Sequence, residues 1–174
     1  HGLFLFILAC WMGWETRQWM ANTPLAALGR YRRYFGAALA LGVLVALVTA
    51  AGAALGFPIA LVVIPLLVWA GVLFLRPGQP VEKRYALVLM GAGLALTSLV
   101  EVVVARGDIS RMNTVFKFYM QVWELFVLSA AAALAWTWAD VRLWSAGWRR
   151  AWSIGLTTLV LCALAYPLTA TSAK

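Results

Sequence analysis

The chain has 174 residues, of which 64% are hydrophobic and 11% charged, and its mean hydropathy is +0.88. So few polar side chains cannot cover the surface of a water-soluble domain, and the composition is that of a membrane protein. The formal charge of +8 would suit a nucleic-acid partner, but the fourteen Lys and Arg sit in clusters between apolar runs and form no continuous basic stripe, which excludes that class.

The first apolar run, residues 1–14, opens on His1 and passes directly into "GLFLFILACWMGW". A secretory leader would show a basic front and a small-residue cleavage site. The start reads as a cut inside or just before a span, and 1–174 reads as one transmembrane helical domain, a piece of a longer polytopic protein. His1 alone makes no metal centre, since such sites are clusters of ligands. Cys10 and Cys162 lie inside apolar runs and imply neither a disulfide nor a metal framework.

Further runs of spanning character follow at roughly 35–57, 58–75, 85–105, 115–138 and 151–168, against the about 20 residues that a spanning helix needs. Hydrocarbon offers an open backbone no hydrogen-bond partner, so each run is predicted helical. The fold class is an all-α polytopic bundle of about six membrane helices. Between the second and third runs the only break is Phe57-Pro58, which predicts a hairpin with Pro58 at the first helical position. One kinked helix of some forty residues would be about twice the bilayer thickness. Pro65 should bend the third helix. Gly52 and Gly56, in "GAALG", would let a neighbour pack closely.

Six spans put alternate loops on opposite sides. Arg17, Arg30, Arg32, Arg33, Arg76, Lys83, Arg84, Arg142, Arg149 and Arg150 share one side, and only Arg106, Arg111, Lys117 and Lys174 fall on the other. The positive-inside rule places the first group in the cytoplasm, in a cell membrane, and the 106–117 connection on the non-cytoplasmic side. Trp14, Trp19, Trp136, Trp138, Trp144, Trp148 and Trp152 fall near the first side, as an interfacial belt would.

The segment "RMNTVFKFYMQVWE", 111–124, carries polar groups into the fifth run. A helix capped by Ser110, or by Asp108, sets Asn113, Lys117, Gln121 and Glu124 within an arc of about 80°. Val115, Phe118, Val122 and Phe126 fall on the opposite face. A carboxylate in the hydrocarbon zone costs about 2.5–3.5 kcal/mol unless paired, protonated or hydrated, so the stripe is expected to face inward. Thr97, Ser98 and Glu101 share a face of the preceding helix, and the short link would set Glu101 near Arg111 or Lys117. The candidate site is therefore Glu101, Asp108, Arg111, Asn113, Lys117, Gln121 and Glu124. Such a network either locks two helices in register or lines a cavity for an anionic ligand, with Arg111 and Lys117 on the anion. No phosphate loop, metal-spaced His/Cys cluster or Ser-His-Asp set is present, and "RGD" at 106–108 is a frequent chance tripeptide. No cofactor is indicated.

"RMNTVFKFYMQVW", 111–123, closely resembles the signature of the "YYY" family of polytopic membrane proteins, a domain of unknown function. The preceding helix ending in an acid, Glu101, the short loop with Asp108, and the downstream "AYPLTA", 165–170, are similar too. The match corresponds to the C-terminal part of a family member. That family is often set beside the GT-C-type glycosyltransferases on membrane topology. The resemblance thus implies a site for a polyprenyl-phosphate-type lipid, with Arg111 and Lys117 on phosphate and Glu101, Asp108 and Glu124 positioning them. The acidic loop after the first helix, which supplies the base in GT-C enzymes, does not appear here, and no catalytic residue is assigned. The rival readings are a non-catalytic scaffold or accessory subunit contacting membrane lipids or a partner membrane protein, and a transporter, for which no inverted repeat is visible.

Overall fold

The computed structural model describes residues 2–24, 35–102 and 111–172, without the side chains of 101, 102, 111–114 and several residues beyond 165. Its elements are α1 (Gly2–Ala21), α2 (Phe35–Ala54), α3 (Ala60–Phe74), α4 (Val81–Val102), α5 (Arg111–Asp140), a 3-10 turn at Val141–Leu143, and α6 (Ala146–Ser172). All the described elements are helices, as the apolar runs require, and each expected run overlaps one of them. Three segments, Phe35–Ala54, Val81–Val100 and Val115–Leu143, are long and apolar enough to cross a membrane, and Ala60–Phe74 is a shorter apolar helix. The helices at the two ends differ from expectation in extent. α1 continues past Trp14 to Ala21, carrying Glu15 and Arg17, and α6 begins at Ala146.

The centre is α4 against α5, with α3 on the other flank of α4 and α1 against α5. Leu8, Trp11 and Met12 of α1, Leu73 of α3, Leu87, Met90 and Leu94 of α4, and Val122 and Phe126 of α5 form one buried cluster. By contrast, nearly every residue of α2 is exposed, and among the described elements its main neighbour is α3. With no apolar driving force between helices in lipid, an all-apolar helix has no reason to bury itself.

The α2–α3 connection is a hairpin, not a continuous helix. Gly56 takes φ 91°, and the amides of Phe57 and Gly56 donate to the carbonyls of Gly52 and Ala53, the two bonds of a Schellman stop. Pro58 is not the first helical residue. It precedes the N-cap, Ile59, and α3 starts at Ala60, because the turn already uses the Phe57 and Pro58 carbonyls to accept from Ala60 and Leu61. The two glycines thus divide their duties. Gly52 provides close approach, since a Cβ there would stand 2.9 Å from that of Ala60, and Gly56 provides the left-handed turn. Gly56→Ala is expected to cost about 1 kcal/mol through the strained φ alone, read as a lowered melting temperature. Open space around Gly56 means that a D-alanine placed there by semisynthesis should keep the wild-type value.

Candidate functional site

α5 is 30 residues long, and its packed face is marked by Val122, Phe126, Ser129, Ala130, Ala133 and Thr137, all buried. Their spacing of three and four is that of one helix face. Lys117, Gln121 and Glu124 are exposed and lie roughly 160° around the helix from that face. The inward orientation expected of the stripe is therefore corrected at these three residues. It is the apolar side that meets α4, because there the Phe126 ring lies over Gly93, where even a Cβ would stand 2.7 Å from it, and no long polar side chain would fit. Ser129 and Thr137 satisfy their hydroxyls on the carbonyls of Leu125 and Ala133, one turn back, so the packed face needs no polar partner from α4.

The structure therefore brings Lys117, Gln121 and Glu124 together along one outward face of α5. The side chains of Glu101, Arg111 and Asn113, all of Asp108, and the candidate cap Ser110 lie outside the described residues, and so does the expected pairing of Glu101 with Arg111 or Lys117. Glu124 falls nine residues into the Val115–Leu143 span, about 14 Å along the axis. A carboxylate at that depth costs about 2.5–3.5 kcal/mol against acyl chains, a cost that water, a polar ligand or further protein along this face would remove.

A second polar centre, which the sequence reading did not single out, lies at the opposite end of α5. Glu15 on α1 is only 3% exposed and pairs with Lys83, at the start of α4, and with Arg76, whose Nη1 donates at 3.4 Å to both the carboxylate and the Glu15 carbonyl. "RPGQP", 76–80, sets this up. The Gln79 backbone N–H donates to the Arg76 carbonyl at 3.3 Å and Gly78 has φ 74°, a turn with Pro77 and Gly78 at its two central positions as type II favours. The Arg84 Nη2 donates to the same Arg76 carbonyl. Beside it, the Asp140 carboxylate accepts from Trp14 Nε1 at 2.8 Å and Gln18 Nε2 at 3.2 Å. The Arg76 and Lys83 cations also stand over the rings of Trp19 and Trp136.

This centre ties together α1, the α3–α4 turn, the start of α4 and the end of α5. Of the ten cations assigned to one side, Arg76 and Lys83 meet at Glu15 and Arg84 at the Arg76 carbonyl, Arg17 lies over the Trp14 ring, Arg142, Arg149 and Arg150 follow the end of α5 and are exposed, and Arg30, Arg32 and Arg33 lie outside the described residues. The tryptophans expected there as a belt are part belt and part core: Trp138 and Trp148 are exposed, whereas Trp152 is buried and meets the Trp144 ring edge-on, with centroids 5.9 Å apart. Glu15 was legible in one respect, as an acid inside the "WMGWETRQW" run of α1 with basic residues assigned to its own side.

The chain matches the family described as uncharacterized membrane protein (DUF2298) over residues 1–126. It belongs to that family. The matched region holds α1 to α4, the polar part of α5 with all seven candidate residues, and Glu15, Arg76 and Lys83. Asp140, α6 and the "AYPLTA" segment lie beyond it. No curated protein and no solved structure matches the chain.

Proposed function

We propose that this DUF2298 domain is the membrane-embedded part of a GT-C-like glycosyltransferase and binds a polyprenyl-phosphate-type anionic lipid along the outward face of α5, on the non-cytoplasmic side. The supporting observation is the exposure of Lys117, Gln121 and Glu124 on the side of α5 that faces away from α4. A helix that only needed to lock to its neighbour would bury such groups, whereas a ligand site must keep them accessible. Arg111, at the start of α5, provides a planar fork for phosphate oxygens and Lys117 a point charge. Asn113 and Gln121 add hydrogen bonds. Glu101, Asp108 and Glu124 hold the cations and limit the net charge. Alternating loop sidedness and the clustering of basic residues at the Glu15 end support the outer location.

The same exposure also favours a second reading, in which the stripe docks on a helix of a partner membrane protein and the domain is a scaffold. Arg111→Ala with Lys117→Ala separates the two. Binding of a polyprenyl phosphate to the purified double variant should fall at least about tenfold, the loss of one charge-assisted contact or more, with an unchanged melting temperature. Intact lipid binding together with loss of co-purifying membrane proteins would establish the scaffold instead.

A further inference from the structure

A groove of about 630 Å³ is lined by Phe6, Cys10, Gly13 and Arg17 of α1, with Trp69 of α3 and Trp148 of α6. Phe6, Cys10, Gly13 and Arg17 recur every three or four residues, so they form one face of α1. From Phe6 to Arg17 the helix rises about 16 Å, close to half of the roughly 30 Å hydrocarbon core. The groove is thus about as long as one leaflet is thick, apolar at the Phe6 end and cationic at the Arg17 end.

The polar end is prepared for an anion. The Arg17 guanidinium lies 5.5 Å from the centre of the Trp14 ring, a cation–π contact between two residues of the groove lining. Among the described residues no carboxylate pairs with it. Of the three acids at this end, Glu15 and Asp140 are committed to Arg76 and Lys83 and to Trp14 and Gln18, and Glu82 is exposed on the first turn of α4, which does not line the groove. Arg142, Arg149 and Arg150, on the adjoining turn and the first turns of α6, are exposed and add to the positive field.

We infer that this groove is a binding site for an anionic phospholipid of the surrounding bilayer, one acyl chain lying along Phe6, Cys10 and Gly13 and the headgroup phosphate on Arg17. The occupant is identified by the charge it must bring and by the match of the groove to a single leaflet. A zwitterionic lipid would leave its cationic group beside four arginines. The volume lies within the range of ordinary ligand pockets. The site stands apart from the α5 face and holds whether or not that face binds a carrier lipid.

The test is native mass spectrometry of the intact detergent-solubilised protein, titrated with phosphatidylglycerol and with phosphatidylcholine of the same acyl chains. Wild type should retain phosphatidylglycerol preferentially. Arg17→Gln should cut that preference by about fivefold, the effect of one interfacial cation. Arg149→Gln, outside the groove lining at the same end, should leave most of it. Gly13→Leu should lower retention of both lipids, because a Cβ at Gly13 already touches the Trp69 ring at 3.8 Å and a longer side chain would fill the groove. Equal retention of the two lipids by wild type, which a helix seated in the groove would produce, overturns the inference. So does an equal loss in Arg17→Gln and Arg149→Gln, which would mean only a diffuse basic surface. Arg17 is exposed, so its comparison with Arg149 stands even where Gly13→Leu does not fold.

Discussion

Glu15→Ala is expected to destabilise the protein by about 3 kcal/mol, the low end of what removing one member of a buried ion pair costs. The low end applies because the partners keep some contact with solvent, at 18% exposure for the Arg76 side chain and 21% for Lys83. The carboxylate itself is enclosed, so alanine leaves two cations facing one another across a cavity. The two cations do not contribute equally. Arg76 reaches Glu15 only at 3.4 Å, near the limit at which a hydrogen bond retains much strength, whereas Lys83 sits in direct contact. Lys83→Met should therefore lower the melting temperature more than Arg76→Met, and a double change of Glu15→Met with Lys83→Met should recover part of the loss by replacing charge with packing. Thermal unfolding followed by tryptophan fluorescence is the measurement. A Glu15→Ala protein that melts with wild type would show the centre to be energetically idle.

The second large effect belongs to the α4–α5 contact. Gly93→Ala forces a methyl to within 2.7 Å of the Phe126 ring, which is itself only 2% exposed. Overpacking of this kind costs about 1–3 kcal/mol, and the upper part of that range applies because Phe126 is enclosed by the central cluster. Phe126→Leu alone should also destabilise, by leaving space over Gly93. Combined, the two substitutions should be less harmful than their separate costs imply, since the smaller side chain makes room for the methyl. Additive losses in this double-mutant cycle would show that the two positions are not in contact.

The same pair explains why the helices were legible in the sequence and the facing of α5 was not. Long apolar runs at 35–57, 85–105 and 115–138 dictate helices because hydrocarbon leaves no alternative, and the short Phe57-Pro58 break dictates a hairpin. The amphipathy of α5 was equally plain, with Lys117 and Glu124 on one side and Val122 and Phe126 on the other. Which side meets the neighbour does not follow from polarity, because in a membrane both apolar and polar faces have reasons to turn inward. Shape decides it. The deciding signal was the row of small side chains Ser129, Ala130 and Ala133 continuing the Val122–Phe126 face, opposite a glycine on α4. Glu15 escaped for a different reason. Its partners lie more than sixty residues ahead in the chain, a separation that no local spacing rule spans, and counting cations to assign sides passes over the acids among them.

That separation has a consequence for biogenesis. Glu15 leaves the ribosome 61 residues before Arg76 and 68 before Lys83, a delay of about 3–14 s at ordinary rates of synthesis. Throughout that interval its carboxylate has neither counter-ion. The first helix must therefore wait in a hydrated setting until the turn before α4 emerges to seat it.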